Sequence, residues 1–256
     1  MLPAERTSFV GRRGEVAAIR RALSGARLVT LTGPGGVGKT RLAVRAASDA
    51  RAGFGDGVHL ADLSALRDPA LVPEQVAGAL DIHDLRGGWL AGAIAEVIGR
   101  KRLLLVLDNC EQVRDPCAVL VDALLGACPR LHVLATSRQP LDVAGETVLA
   151  VPPLPTPAQG QPRVPGSGDA VDLLLDRARA VVPELELSPA EEAVVAELCR
   201  RLDGIPLAVE LAAVRLRTLT PAQVLARLDD RFRLLQHAQP AAPRRHQTLQ
   251  ATMQWS

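Results

Sequence analysis

The chain has 256 residues, of which 48% are hydrophobic and 23% are charged, and its formal net charge is +2. This is the composition of a globular protein of one large domain or two small ones, and it excludes a disordered or collagen-like chain. The balanced charge argues against a broad electrostatic surface for nucleic acid or membrane, and an aromatic content of 2% argues against stacking platforms for single strands.

Residues 14–151 alternate between helical and strand patterns. Val16, Ile19 and Leu23 recur at helical spacing, whereas Leu103–Leu107 is an unbroken apolar run, typical of a strand buried on both faces. Helices are predicted at 14–24, 39–52, 69–80, 89–99 and 116–126, and strands at 28–32, 58–61, 103–107, 131–135 and 147–151. The alternation predicts an α/β fold with a parallel sheet and helices on both faces, over residues 1–151.

Residues 152–168 break this alternation. Six of these seventeen residues are proline and three are glycine, which is typical of a linker or a long loop at a domain boundary. Every later segment has a helical pattern, and Ser188 and Thr220 each precede a proline, as helix caps do. We therefore predict a small all-α domain over residues 169–235.

The four cysteines include no C-x-x-C pair, and a chain of this size can fold without disulfides. These cysteines are Cys110, Cys117, Cys128 and Cys199. We interpret them as reduced thiols of a cytoplasmic protein. The chain begins with no signal-peptide pattern, and its longest apolar run is too short for a bilayer, so we expect no membrane partner. The chain has only two lysines, Lys39 and Lys101, among its 30 basic residues. In a chain that otherwise uses arginine, a lysine can mark a site that needs a compact positive charge.

A glycine-rich segment between the first predicted strand and the second predicted helix matches G-x-x-x-x-G-K-[ST] in full. It consists of Gly33, Pro34, Gly35, Gly36, Val37, Gly38, Lys39 and Thr40. In such a P-loop, backbone N–H groups and a helix N-terminus bind phosphates, the lysine neutralises them and the hydroxyl binds Mg²⁺. The alternative is an ordinary strand-to-helix turn, which the complete match disfavours. Arg41, the next residue, is a further candidate for nucleotide binding.

Acidic residues follow the third predicted strand. Asp108 ends the run LLLVLD, where an acid can help to hold the metal of a P-loop site, although an acid there can also simply end a strand in a turn. Asn109 cannot act as a base. Glu111 is the nearest acid that could orient an attacking water, and it is equally consistent with a solvated residue at a helix start.

Two further segments complete the candidate site. Arg138 follows the fourth predicted strand and could sense a γ-phosphate, although it could also be a surface residue. In the helical domain, Gly204-Ile205-Pro206 can end one helix and begin the next. A DNA-reading helix-turn-helix at this point is disfavoured, because the second helix is mostly apolar.

The segments FVGR, the P-loop, LLLVLDNCE, TSR and GIPLA occur in one order that resembles the STAND class of P-loop NTPases. The resemblance covers nearly the whole chain and is greatest to the NB-ARC-like ATPase modules of bacterial SARP/AfsR-type and large LuxR-type transcriptional regulators. It implies that Val10, Gly11 and Arg12 line the adenine and that Pro206 contacts the nucleotide. It further implies an ADP-bound resting state, opening and self-association with ATP, and slow Mg²⁺-dependent hydrolysis.

The chain departs from that class in two respects. Many members carry two acids after the hydrophobic strand, but here Asp108 is followed by Asn109, so the water-positioning role is in doubt. Residues 236–256 resemble only the start of the winged-helix domain that normally follows. We therefore expect a piece of a longer protein, with DNA contacted only through domains outside this chain.

Three functions remain open at this stage. The first is an ATP/ADP-operated switch, the second an efficient ATPase or small-molecule kinase, and the third an AAA+-like ATPase that works on DNA. Residues 62–102 show no compact lid that would favour a kinase. Arg215 and Arg217 could serve an AAA+ enzyme but have no further support. The first function, with weak ATPase activity, fits the motifs best.

Overall fold

The computed structural model describes residues 2–5, 7–82, 90–158, 164–166 and 168–228. Its contacts divide the chain into two compact units. The first unit contains Arg13–Gly33 and Lys39–Val151, and the second contains Glu5–Arg12, Pro34–Gly38 and the described residues from Pro152 on. The middle of the phosphate loop thus packs with the second unit, although its two ends belong to the first.

The first unit is built on a five-stranded sheet in which every neighbouring pair is parallel. The strands are β1 (Leu28–Thr32), β2 (Val58–Asp62), β3 (Leu104–Asp108), β4 (His132–Ser137) and β5 (Glu146–Ala150). Their order is β2-β3-β4-β1-β5, so β4 lies between β1 and β3. The predicted parallel sheet is confirmed.

Five α-helices lie in the described part of this unit. They are α1 (Arg13–Gly25), α2 (Lys39–Asp49), α3 (Val72–Ala79), α4 (Leu90–Ile98) and α5 (Arg114–Ala127). Two predicted helices are shorter than expected. The segment predicted at 69–80 begins as a 3₁₀ turn and becomes α-helical only at Val72, because Pro73 has no N–H to donate and tolerates only a first turn. The helix predicted to reach residue 52 ends at Asp49, just before Gly53 and a second 3₁₀ turn.

The core of the first unit forms where helices cover the central strands. All five residues of β3 are buried, as its unbroken apolar run predicts. Ile94, Ile98 and Leu124 pack in the same cluster as Leu105 and are almost fully buried. Burial of these side chains, at about 25 cal/mol per Å² of apolar surface, holds the ends of the strands in place. All four cysteines are buried and none forms a disulfide.

The second unit is helical. Its helices are α6 (Ala170–Val181), α7 (Pro189–Arg201) and α8 (Pro206–Arg215), and residues 221–228 are also helical. The predicted cap of α7 is confirmed, since Ser188 and Glu191 form a reciprocal capping box. The winged-helix resemblance, at 236–256, lies outside the described residues. In the described part of the chain, no helix is long and apolar enough to cross a membrane.

Candidate nucleotide-binding site

The carboxyl ends of β1, β3 and β4 bring the predicted catalytic segments of the first unit together. Lys39 and Thr40 begin α2, Asp108 is the last residue of β3, and Thr136 lies near the end of β4. Because β4 separates β1 from β3, these two strands are about 9.5 Å apart. Ligands of open α/β sheets bind at this edge.

Hydrogen bonds join three of these residues. The Thr40 hydroxyl donates to the two Asp108 carboxylate oxygens at 2.8 and 3.0 Å, and the Thr136 hydroxyl donates to Asp108 Oδ1 at 2.5 Å. The Asn109 N–H donates to Thr136 Oγ1 at 3.0 Å. Hydroxyl and carboxylate oxygens are the hard donors that Mg²⁺ prefers, so the predicted ligands Thr40 and Asp108 fit this ion.

Lys39 is a buried cation at the start of α2, and its Nζ donates to the Gly33 carbonyl at 2.9 Å. Burial lowers the pKa of Lys39, while the nearby carboxylates of Glu111 and Asp108 raise it and Arg138 lowers it. The Gly33 carbonyl holds this ammonium beside the loop, and a phosphate oxygen could take the place of that carbonyl as the hydrogen-bond acceptor. The geometry therefore suits charge neutralisation of a phosphate.

Glu111 and Arg138 form an ion pair, with Arg138 Nε 3.4 Å from Glu111 Oε1. Glu111 is mostly buried, with 19% of its side chain exposed, whereas 57% of Arg138 is exposed. The second carboxylate oxygen, Glu111 Oε2, is buried and has no hydrogen-bond partner among the described residues. A buried oxygen of this kind is an acceptor available to a water.

In the second unit, the loop segment Pro34–Gly38 contacts two groups. Arg12 Nη2 donates to the carbonyl of Val37 at 2.9 Å, and the Leu207 N–H donates to the carbonyl of Gly36 at 3.1 Å. A β-carbon added to Gly38 would lie 3.8 Å from Cγ of Pro206. The predicted motif residue Pro206 therefore lies beside the phosphate loop.

Three predicted residues remain, namely Val10, Gly11 and Arg41. Val10 packs against the core of the second unit, and Gly11 adopts a positive φ of 71°. Arg41 is the third residue of α2 and is partly exposed. Their roles towards a base or a phosphate stay predictions.

Sequence reasoning missed two contributors. Thr136 was noted only as part of the segment before Arg138, yet it bonds directly to Asp108. The other is the backbone N–H of Leu207. The position of Thr136 at the end of an apolar strand was the available signal, whereas a backbone N–H carries no sequence signal at all.

Comparison with known proteins adds related sequences, although no family model matches the chain. The uncharacterized protein Rv0894 of Mycobacterium tuberculosis is 44% identical over 250 residues, 98% of this chain and 61% of that protein. A protein of the same organism named as an HTH-type transcriptional regulator, Rv0890c, is 43% identical over 93% of this chain and 26% of its own length. The regulatory protein AfsR of Streptomyces griseus is 29% identical over 93% of this chain and 24% of its length.

Solved structures agree with the fold. A STAND protein with a tetratricopeptide repeat sensor from Pyrococcus horikoshii matches with a TM-score of 0.55 at 20% identity, over 82% of this chain and 30% of that one. A Walker-type ATPase of Pyrococcus abyssi matches with a TM-score of 0.56 at 16% identity, over 93% and 78%. The fold is that of a P-loop NTPase. The resemblance to STAND proteins and AfsR-type regulators, stated from the motifs, is thus confirmed. The chain spans about three fifths of Rv0894 and about a quarter of the named regulators.

Proposed function

We propose that this chain is the ATP/ADP-binding switch module of a bacterial transcriptional regulator, with slow Mg²⁺-dependent ATP hydrolysis. The observation that carries the proposal is the pair of hydrogen bonds from Thr40 to Asp108, which brings together two motif segments 68 residues apart. P-loop ATPases use these two residue types to hold Mg²⁺ beside the phosphates. The names of the relatives support a regulator as the whole protein.

Each charged group then has a distinct role. When bound, Mg²⁺ would supply positive charge to the β- and γ-phosphates, held by Thr40 and Asp108. The Lys39 ammonium neutralises the same phosphates from the loop side. The exposed Arg138 guanidinium can turn from Glu111 to a γ-phosphate as a bidentate donor, which makes it a sensor of ATP against ADP.

Slow hydrolysis is expected because few acidic side chains near the phosphate loop could activate the attacking water. Asn109 stands where many members of the class have a second acid, and its amide cannot accept a proton. Glu111 is the remaining candidate, because its buried Oε2 has no hydrogen-bond partner in the described part of the chain and could accept a hydrogen bond from an attacking water. Because Oε1 pairs with Arg138 until Arg138 turns to the γ-phosphate, Glu111 can orient water fully only after that movement, which is consistent with a timer rather than an efficient enzyme.

The switch itself extends beyond this chain. We propose that ADP marks the resting state, and that exchange for ATP changes the arrangement of residues 1–151 and 169–235, joined by the linker at 152–168. Self-association would follow in the cytoplasm, and DNA would be contacted only through other parts of a longer regulator. The described residues give no second candidate function comparable support.

The first test is the nucleotide that co-purifies with the protein. The sample is denatured, and the released nucleotide is identified and counted by chromatography. Near-stoichiometric ADP is expected in the wild type and in Lys101→Ala, and its loss is expected in Lys39→Ala. Lys101→Ala is the matched control, because it removes the only other lysine, which is exposed and far from the motif in sequence.

Turnover then separates the alternatives. A switch should hydrolyse ATP well below one turnover per second, the lower limit of typical enzyme rates. An empty site with fast multiple turnover would instead support an efficient ATPase or kinase, and stimulation by DNA would support an AAA+-like enzyme. Absence of any nucleotide binding by the wild type would reject the proposal.

A further inference from the structure

The phosphate loop is attached to the second unit through two consecutive peptide groups. The carbonyl of Gly36 accepts the Leu207 N–H at 3.1 Å, and the carbonyl of Val37 accepts Arg12 Nη2 at 2.9 Å. The same Nη2 donates to the carbonyl of Pro152 at 2.9 Å. Arg12 thereby connects the loop to Pro152, the first residue after Val151, and the carbonyls of Val37 and Pro152 both belong to the second unit.

These bonds fix the direction of the loop's own N–H groups. In a trans peptide the C=O of one residue and the N–H of the next point in opposite directions. With the Val37 carbonyl directed at Arg12, the Gly38 N–H must face away from Arg12. Likewise, the Gly36 carbonyl directed at Leu207 turns the Val37 N–H away from that helix start, and this N–H donates within the loop to the Pro34 carbonyl at 3.4 Å. A P-loop binds phosphate through such backbone N–H groups, so their direction decides whether the loop can bind.

We infer that Arg12 is a positioning residue which holds the phosphate loop in its binding conformation before a nucleotide arrives. This inference rests on the proposed nucleotide site but assigns Arg12 a different partner from the adenine expected by resemblance. Its guanidinium acts on the loop backbone, so its effect extends to every phosphate chain, whatever base is attached.

The local backbone supports this role. Arg12 is only 8% exposed and has a positive φ of 59°, an unfavourable conformation that surrounding contacts must maintain. The preceding Gly11 lies so close to Gly168 that an added β-carbon would be 2.2 Å from the Gly168 carbonyl oxygen. The segment before α1 is therefore fixed in place, and a planar guanidinium on it can reach two carbonyls with one nitrogen.

The test compares Arg12→Met with Arg13→Met, which removes the same charge from the neighbouring exposed position. Hydrogen–deuterium exchange is measured on nucleotide-free protein for a peptide covering residues 33–42. We expect faster exchange in Arg12→Met than in Arg13→Met or wild type. Arg12→Lys, which keeps the charge but not the planar fork, should be intermediate, and thermal unfolding of each variant establishes that it is folded.

Affinity gives an independent measurement. Loss of a hydrogen bond from a charged group should weaken ADP binding roughly ten- to a hundredfold in Arg12→Met. Inorganic tripolyphosphate, which has no base, should lose its ability to compete with labelled ADP by a similar factor. The exchange measurement needs no nucleotide, so failure of the wild type to bind ADP would reject the proposed function without deciding this inference.

Two outcomes would overturn the inference. The first is equal exchange of the loop in folded Arg12→Met and Arg13→Met protein, which would mean that Arg12 does not hold the loop. The second is weakened ADP binding with tripolyphosphate competition unchanged, which would return Arg12 to the role of a base contact.

Discussion

Gly204 is a position in the second unit where a single methyl group should be strongly destabilising. Its φ is +62°, a left-handed conformation, and an added β-carbon would lie 2.1 Å from the carbonyl oxygen of Leu154. The Leu154 N–H also donates to the Gly204 carbonyl at 2.9 Å, so the two backbones touch in both directions. Gly204→Ala therefore combines strain with a clash between backbones.

The cost can be worked from these two terms. A left-handed conformation costs a residue with a β-carbon about 1–2 kcal/mol. Relief of the clash requires the Leu154 carbonyl to move by roughly 1 Å to reach ordinary contact distance, and overpacking of this kind costs about 1–3 kcal/mol. The expected loss of unfolding free energy is therefore about 2–5 kcal/mol, a large part of the stability of a typical domain.

Gly145→Ala is the matched control. Gly145 has a similar φ of +78°, but nothing lies within 4 Å of its added β-carbon, so only the conformational term applies. Thermal unfolding followed by circular dichroism should give a lower Tm for Gly204→Ala, by about 2–4 °C for each kcal/mol of difference. If Gly204→Ala proves no less stable than Gly145→Ala, the close approach to Leu154 is refuted as the reason for glycine in this motif.

Three other changes have defined outcomes. Thr136→Val removes a hydroxyl that donates to Asp108, and it should weaken ADP binding roughly tenfold with Mg²⁺ but little with EDTA, as titration calorimetry would show. Glu111→Gln removes a charge that raises the pKa of the buried Lys39. The affinity for ADP, which needs the ammonium, should therefore fall at a lower pH than in wild type when the pH is raised. Ser188→Ala removes the N-cap of α7 and should cost about 1 kcal/mol in urea unfolding.

The elements of the α/β unit were predictable because their signals are local. A short unbroken apolar run such as Leu103–Leu107 is typical of a buried strand, and Lys39 begins its helix directly after a glycine-rich turn. The ends of helices were less predictable. The segment at 69–80 has the periodicity of one helix, but Pro73 delays the α-helical hydrogen bonds until Val72.

The order of the strands was not predictable from the sequence, and it explains the main omission at the site. Apolar runs indicate that strands exist but not which of them are neighbours. Only the insertion of β4 between β1 and β3 places Thr136 beside Asp108. The metal candidates Thr40 and Asp108 were found because a motif specifies both, whereas Thr136 is specified by topology alone.

Arg12 shows a different limit. The segment FVGR points to a function of Arg12 only through the resemblance to STAND proteins, and that resemblance assigns Arg12 to the adenine. A positive φ at an arginine cannot be read from local preference, because the preference of every residue with a β-carbon opposes it. The conformation exists because Gly11 permits a close approach to Gly168 and because two carbonyls hold the guanidinium. Long-range contacts hold Arg12 in a backbone conformation that its residue type disfavours, so only the fold can show what Arg12 contacts. The hydrogen–deuterium exchange experiment tests directly whether Arg12 holds the phosphate loop.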